Sequence, residues 1–237
     1  MPKTLVSVSL KTLVSKNVRI ANTSVFTVNY NTPDLVQRLL NSVRLFYPDI
    51  HFVVLDNSDE KARADEVLEI AEKDGNMTVH QTGKNLHHGP GMGFGVRKCE
   101  TDHVLVIDSD NELMRPGLLS MMMEYMDPEV MAVGIVARVD EAGMDTASPV
   151  YGTSLASSRS VPYVLPHTML VRPRIFDVYP EPIKHGAPMI STCTAMWKAG
   201  ESYKCLRNIP RLERDGWVRV GEGETWRRFG TRQGVTI

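Results

Sequence analysis

Cysteine is scarce in this chain of 237 residues, which contains only Cys99, Cys193 and Cys205. An odd number without close spacing argues against a disulfide framework and against a zinc site. No apolar run approaches the roughly 20 residues needed to span a bilayer. The N-terminal segment carries Lys3 and Lys11 among short apolar pieces and lacks the small-residue cleavage site of a signal peptide. These absences predict a reduced, cytoplasmic, soluble protein.

An excess of charge of one sign is lacking as well. The chain has 27 Lys and Arg residues against 28 Asp and Glu residues, a formal net charge of -1. Its overall charge therefore does not mark it as a binder of nucleic acid or membrane. We find no internal repeat, low-complexity stretch or linker, and we expect residues 1–237 to form a single domain.

Short apolar runs alternate with amphipathic segments in the first half of the chain. Helices are predicted over about 34–46 and about 60–74. Strand runs that are almost entirely apolar are typical of a parallel sheet covered by helices on both faces. We therefore predict an α/β fold with a mostly parallel central sheet between helices. Its first four strands are expected at 25–28, at 52–55, around 79 and at 104–107.

The second half is less regular. Residues 113–126 are predicted to form a methionine-rich helix, 130–137 a strand and 192–207 another helix. Prolines and glycines punctuate residues 140–190, which favours loops packed over a site. Short strands and turns are expected over 208–237.

Polar residues follow three of the predicted strands. The carboxyl ends of parallel strands line one crevice, so these side chains are expected to converge on one ligand. Asn and Asp also cap helices and turns, which is the alternative for any single pair. The three pairs are Asn29 with Asn31, Asp56 with Asn57, and Asp108 with Asp110.

The segment Asp108-Ser109-Asp110 is the most specific of these. Two carboxylates at i and i+2, leaving a buried strand, can bind Mg²⁺ or Mn²⁺ through oxygen, with substrate phosphates as further ligands. Burying two like charges near a sheet is costly without a cation. The sequence therefore predicts a divalent cation site here.

A glycine-rich stretch runs from Asn85 to Gly95. Its glycines would let backbone amides approach a phosphate or a sugar, and a helix is expected to begin near Gly93. The stretch lacks the lysine of a P-loop, and no strand runs directly into it as in a Rossmann fingerprint. A flexible turn is the alternative. His87 and His88 are adjacent, and adjacent side chains on a loop seldom converge on one metal.

Four motifs occur in an order that resembles a known family. They are Val-Asn-Tyr-Asn at 28–31, Val-Val-Leu-Asp-Asn-Ser at 53–58, Asn85 with its glycines, and Val-Ile-Asp-Ser-Asp at 106–110. Together they resemble family-2-like glycosyltransferases of the GT-A fold. The resemblance covers roughly residues 24–136. It implies a nucleotide-sugar-binding first half, followed by an acceptor-side half with a basic tail.

The resemblance also implies roles for individual residues. Asn29, Tyr30 and Asn31 would border the nucleotide base, and Asp56 would accept a hydrogen bond from it. Asp108 and Asp110 would serve the ribose and a Mn²⁺ or Mg²⁺ ion on the diphosphate, which stabilises the leaving group. The implied donor-binding residues are Asn29, Tyr30, Asn31, Asp56, Asn57, Asn85, Gly89, Gly91, Asp108 and Ser109.

The C-terminal third departs from the family, because no clear Glu-Asp pair follows the predicted metal site. Candidates for the base that deprotonates the acceptor are Glu213 and Asp215, with Glu222 and Glu224 behind them. His185 is a candidate for the base or for a third metal ligand. Whether the anomeric configuration is inverted or retained stays open.

The tail is locally basic, with eight Lys and Arg residues against five acidic residues over 201–237. Arg227 and Arg228 are expected to close over the donor diphosphate, because Arg binds phosphate through two parallel hydrogen bonds. With its interleaved aromatic residues, the same stretch could contact a polyanionic acceptor such as nucleic acid. A solvated face with buried tryptophans is the alternative.

The combined prediction is a metal-dependent glycosyltransferase that moves a sugar from a nucleotide-diphosphate sugar, by default a UDP-sugar, to an acceptor hydroxyl. One alternative is a nucleotidyltransferase on a related fold, although residues 29–33 lack the glycines and lysine expected there. The other is a nucleic-acid-binding protein with a degenerate transferase site. The intact Asp108 and Asp110 argue against that alternative, and the missing Glu-Asp pair argues for it.

Overall fold

The computed structural model describes residues 20, 22–143, 160–183, 186–209, 212 and 215–221. The strands are β1 (Thr23–Asn29), β2 (His51–Asp56), β3 (Met77–Gln81), β4 (His103–Ile107), β5 (Glu112–Leu113), β6 (Ala132–Val139), β7 (Val161–Val171), β8 (Leu206–Asn208) and β9 (Val218–Arg219). The helices are α1 (Pro33–Phe46), α2 (Lys61–Asp74), α3 (His88–Lys98), α4 (Leu118–Met123), α5 (Ile175–Val178), α6 (Ile190–Lys198) and α7 (Ser202–Cys205).

Seven strands form one sheet in the order β3-β2-β1-β4-β7-β6-β8. The first four strands in this order are mutually parallel, and β8 is parallel to β6. β7 runs antiparallel to both of its neighbours, β4 and β6. A second, two-stranded sheet pairs β5 with β9. The predicted α/β fold with a mostly parallel central sheet is confirmed.

The two faces of the central sheet carry separate hydrophobic clusters. On β2, Val53 and Leu55 belong to one cluster, whereas Phe52 and Val54 belong to the other. Helix α3 contributes to the first cluster, and α1 contributes to the second. Because both faces are covered, these strands have apolar residues at successive positions instead of alternating polar ones. No helix in the described ranges is long and apolar enough to cross a membrane.

The second half differs most from the sequence-based expectation. The region 140–190, expected to be loops, contains β7, an eleven-residue strand in the middle of the sheet. Its Pro162 and Pro166 lie beyond the stretch paired with β4, which ends at Thr168. The pairing with β6 shifts register between Gly134 and Val136, opposite the segment with Pro166. Pro166 thus lies where the pairing is irregular, a position at which proline is tolerated, whereas Pro162 stays in register opposite Arg138 of β6.

Several element boundaries also differ. The predicted helix over 113–126 is restricted to α4 and preceded by β5, and the predicted strand over 130–137 is found as β6. The predicted helix over 192–207 is split into α6, α7 and β8. Helix α3 begins at His88, several residues before Gly93. Its early glycines made these residues look like a turn in the sequence.

Candidate active site

A cavity of about 380 Å³ opens at the carboxyl ends of β1, β2 and β4. Asn29 from the end of β1, Asn57 after β2 and Asp108 after β4 all line it. This is the edge of the sheet at which ligands bind in open α/β folds. The predicted convergence of three strand ends is therefore present in the structure.

Asp56 lies beneath this cavity and is not part of its lining. Its side chain is buried, and its Oδ1 accepts hydrogen bonds from Asn29 Nδ2 at 2.9 Å and from Ser58 N and Oγ at 3.1 and 2.6 Å. A buried carboxylate surrounded by donors is well satisfied where it stands. Asp56 therefore ties the end of β1 to the segment after β2. Its contact with a nucleotide base stays a prediction.

Tyr30 and Asn31 both bind Asp59. The Tyr30 hydroxyl donates to Asp59 Oδ2 at 2.9 Å, and Asn31 Nδ2 donates to Asp59 Oδ1 at 2.6 Å. Burial, followed by the hydrogen bond to Asp59, raises the pKa of Tyr30. Asn31 has φ of 54°, in the left-handed region that Asn tolerates. Tyr30 lines the cavity, whereas Asn31 is buried away from its lining.

The segment leading into α3 forms another part of the wall. Asn85 Oδ1 accepts a hydrogen bond from the backbone N–H of His87 at 2.7 Å. His87 has φ of 65° and ψ of 171°, a backbone conformation found almost only for glycine, so it is strained. Asn85, His87 and His88 line the cavity, whereas Gly89 is buried outside the lining.

Two glycines of α3 have a steric role. A Cβ atom at Gly91 would lie 3.0 Å from Leu55 Cδ2, and one at Gly95 would lie 2.1 Å from Phe26 Cε2. Real Cβ contacts are longer than this, so these positions let α3 pack directly on the sheet. Gly91 is not part of the cavity lining, and its predicted role in donor binding remains untested.

Asp108, Ser109 and Asp110 all line the cavity. Asp110 is only 8% exposed, whereas about a third of the Asp108 side chain is exposed. His88 Nε2 lies 3.4 Å from Asp108 Oδ1. Arg38 Nη2 donates to the backbone carbonyl of Asp110 at 3.2 Å. The two carboxylates thus stand on one short loop in the cavity wall.

Another wall of the cavity comes from the region 140–190, which was expected to pack over the site as loops and contributes a strand instead. Tyr163, Leu165, Pro166 and His167 of β7 line the cavity. His167 lies next to the predicted metal-binding loop, because its carbonyl accepts a hydrogen bond from Asp108 N at 3.1 Å. The apolar and β-branched residues of β7 could have indicated a strand here, but its prolines favoured a loop in the sequence.

The predicted C-terminal residues are not brought to the cavity in the part of the chain that is described. Asp215 is exposed on a turn, and its carbonyl accepts a hydrogen bond from Arg115 Nη1 at 3.2 Å. His185, Glu213, Arg227 and Arg228 lie outside the described residues. Among the described residues, the carboxylates that line the cavity are therefore Asp108 and Asp110.

The ligand set for a metal is small. Within the described ranges, no group of three or more His, Cys, Asp or Glu side chains is arranged to hold a metal ion. Asp108 and Asp110 offer carboxylate oxygens, the donors that hard divalent cations prefer. Two protein carboxylates are enough for Mg²⁺ or Mn²⁺ when substrate phosphates supply further ligands. The pair therefore fits a shared metal and substrate site.

Solved structures of several glycosyltransferases resemble this fold. The mannosyltransferase PcManGT from Pyrobaculum calidifontis, in complex with GDP-Man and Mn²⁺, matches with a TM-score of 0.60 at 19% identity, over 80% of this chain and 55% of that chain. GalNAc-T7 with UDP, GalNAc and Mn²⁺ matches with a TM-score of 0.59 at 13% identity, over 81% of this chain and 43% of that chain. This chain thus spans only about half the length of these proteins.

A third solved structure is matched over more of its own length. Glucosyl-3-phosphoglycerate synthase from Mycobacterium tuberculosis, in complex with Mn²⁺, UDP and phosphoglyceric acid, has a TM-score of 0.58 at 14% identity, over 86% of this chain and 73% of that chain. At these identities the likeness shows the fold alone, and that fold is GT-A. No match to the chain is found among curated protein sequences.

The sequence of the chain also matches a family model directly. The model described as Glycosyl transferase family 2 matches residues 24–175, which span β1 to β7. The match therefore extends past residue 136, where the motif-based resemblance ended, and includes the strand that the sequence motifs missed. The chain belongs to glycosyl transferase family 2.

Proposed function

We propose that the chain transfers a sugar from a nucleotide-diphosphate sugar, by default a UDP-sugar, to an acceptor hydroxyl, with Mn²⁺ or Mg²⁺ as cofactor. The observation that carries this proposal is the position of Asp108 and Asp110 in a cavity that Tyr30, Asn57 and Asn85 also line. Family membership and the nucleotides and Mn²⁺ in the matched structures support it. We further propose that residues 1–237 act as one catalytic domain. The buried, free thiols of its cysteines support a cytoplasmic location.

The chain's residues divide the cavity into a donor side and an acceptor side. Tyr30, Asn57 and Asn85 lie together at the ends of the first strands and would hold the base and ribose. The hydrogen bond from the Tyr30 hydroxyl to Asp59 holds this side chain in place. The Tyr30 ring therefore offers a fixed surface for the base. The wall of β7, with Tyr163 and His167 among its members, would face the acceptor.

Asp108 and Asp110 would hold the cation together with the diphosphate oxygens. Asp110 is nearly buried, and a carboxylate in such a place favours a positive partner. When bound, the cation stabilises the negative charge that develops on the leaving diphosphate. His88, which contacts Asp108, would help to orient that carboxylate.

The candidates for the catalytic base lie in the C-terminal third of the chain. Asp215 is exposed and outside the cavity lining, which weakens its candidacy. His185 directly precedes Gly186, a residue that lines the cavity, and we retain it as the base or a third metal ligand. Glu213 as an alternative base, and Arg227 and Arg228 as diphosphate contacts, remain predictions.

A thermal-shift screen tests this proposal. Nucleotide mono-, di- and triphosphates and nucleotide sugars are added with and without Mn²⁺ to the wild type, Asp110→Ala and Asp65→Ala. Asp65 is a matched control, because it is an exposed aspartate on α2. A ligand at about 100 times its Kd stabilises the native state by about 2.7 kcal/mol. For a chain of this size that raises Tm by roughly 5–10 °C.

The outcomes separate the alternatives. A Mn²⁺-dependent shift with one nucleotide diphosphate, kept in Asp65→Ala and lost in Asp110→Ala, supports sugar transfer and identifies the base. A shift with triphosphates alone supports nucleotidyl transfer. If none of these ligands raises Tm, the proposed donor site is contradicted. Each variant is compared with its own Tm without ligand, so that a general change in stability does not count.

A further inference from the structure

Asn111, which directly follows the Asp-Ser-Asp segment, is completely buried. Its Nδ2 donates to the carbonyl of His167 at 2.7 Å and to Thr168 Oγ1 at 3.3 Å. Its Oδ1 accepts a hydrogen bond from the backbone N–H of Gly221 at 2.9 Å. One side chain therefore joins the carboxylate loop to β7 on one side and to the segment after β9 on the other.

Gly221 packs directly against Asp110. A Cβ atom at Gly221 would lie 2.3 Å from the carbonyl oxygen of Asp110, 2.5 Å from its Cγ and 2.6 Å from its Cβ. These are backbone atoms and the first atoms of the side chain, so no rotation of a distant group relieves the overlap. Any side chain at position 221 must displace Asp110 or be displaced by it.

The segment with Gly221 is itself anchored to the chain around Asp110. β9 pairs with β5 through Leu113 opposite Val218 and Glu112 opposite Arg219. Arg219 Nη1 also forms an ion pair with Glu112 Oε2 at 2.9 Å. Because β5 begins two residues after Asp110, the position of β9 is tied to that of the carboxylate.

We propose that Asn111 and Gly221 are positioning residues that fix the Asp110 carboxylate for cation binding. This inference rests on the proposed function, because it takes Asp110 as a cation ligand. Asn111 holds the carboxylate loop between β7 and the segment after β9. Because Gly221 has no side chain, Asp110 can occupy the space next to it. Neither residue contacts the substrate in this proposal.

The test is a titration with Mn²⁺, in which the electron paramagnetic resonance signal of free Mn²⁺ is measured with protein alone and with added UDP. The variants are Gly221→Ala and Asn111→Ala. Gly216→Ala is the matched control, because Gly216 lies in the turn just before β9, has φ of 68° and has nothing within 4 Å of an added Cβ. It strains the turn that leads into β9 without touching Asp110.

We expect Gly221→Ala and Asn111→Ala to weaken Mn²⁺ binding at least tenfold, and Gly216→Ala to change it less than twofold. At saturating Mn²⁺ the kcat of Gly221→Ala should approach that of the wild type, since the defect lies in holding the cation. Asn111→Ala removes buried hydrogen bonds and risks unfolding. Gly221→Ala therefore decides the test.

Two results would overturn the inference while leaving the proposed function intact. One is wild-type Mn²⁺ affinity in Gly221→Ala. The other is an equal loss in Gly216→Ala, which would assign the effect to the stability of the segment around β9. A wild type that binds no Mn²⁺, with or without UDP, would overturn both the inference and the proposed metal dependence.

Discussion

Adding a methyl group at Gly95 is expected to disturb the packing of α3 on the central sheet. The new Cβ would lie 2.1 Å from Cε2 and 2.2 Å from Cζ of Phe26, whereas carbon atoms in contact stay about 3.5–4.0 Å apart. Phe26 has no exposed surface, so its ring cannot move without displacing neighbours. Either the ring or the helix must shift by more than an ångström.

The Gly95→Ala substitution loses stability through overpacking and gains stability through helix propensity. Overpacking of a core costs typically about 1–3 kcal/mol, and an overlap this large belongs at the upper end. Replacing a helical glycine by alanine gains about 1 kcal/mol. The net loss for Gly95→Ala is then about 2 kcal/mol, or roughly 4–8 °C in Tm for a chain of this size.

Gly93→Ala is the matched control in the same helix. Its added Cβ would lie 3.2 Å from Pro182 Cδ and 3.4 Å from Glu181 Oε2, so a shift of a few tenths of an ångström is enough to admit it. It gains the same helix propensity with little overlap, so it should equal or exceed the wild type in stability. The two variants should differ by about 2–3 kcal/mol.

Urea unfolding of both variants and the wild type measures this difference. Shortening Phe26 to leucine in the Gly95→Ala background should recover part of the loss, since the two sites are in contact. Equal stability of Gly95→Ala and Gly93→Ala would refute the packing argument. Because α3 begins at His88 in the cavity wall, Gly95→Ala should also weaken nucleotide binding.

Two further predictions concern an ion pair and the cysteines. Two hydrogen bonds of 2.7 Å from Arg44 lower the pKa of Asp74, so this stabilisation is present at neutral pH and lost as pH falls below about 4. Asp74→Asn should therefore lower the free energy of unfolding at pH 7 by about 2 kcal/mol, as measured by urea unfolding. In acid, the free energy of unfolding of this variant should depend less on pH than that of the wild type. An unchanged pH dependence would contradict this. Burial raises the pKa of Cys99 and of Cys193 to about 12, and Cys205 is also buried. A thiol reagent at pH 8 should therefore label none of the three cysteines in the folded protein and all three in denaturant.

The elements that the sequence predicts well are those whose local pattern and tertiary setting agree. The apolar runs at 52–55 and 104–107 are strands because both of their faces are covered. Asp108 and Asp110 line the cavity because they follow such a strand directly. The position after the strand is enough to predict that these side chains lie at the cavity, whereas the close packing of Gly221 against Asp110 is a long-range contact that the sequence does not display.

Other features depend on contacts that a sequence does not display. β7 carries two prolines, and its place in the sheet depends on its long-range pairing with β4 and β6. Asp56 ends β2 and Tyr30 follows β1, yet Asp56 is buried outside the cavity lining whereas Tyr30 is part of that lining. Asp215 has the residue type and spacing of a candidate base, and it lies on an exposed turn outside the cavity lining, a position that residue type and spacing do not reveal.

The position of β7 has a consequence for how the protein emerges from the ribosome. β4 lies between β1 and β7 in the finished sheet, but β7 is synthesised much later in the chain. At about 5–20 residues per second, the interval lasts on the order of seconds. During it, the apolar segment Val-Leu-Val-Ile of β4 is an open edge that can pair with another nascent chain. Fragments that end before residue 161 should therefore aggregate, and full-length yield should depend on chaperones that cover this edge.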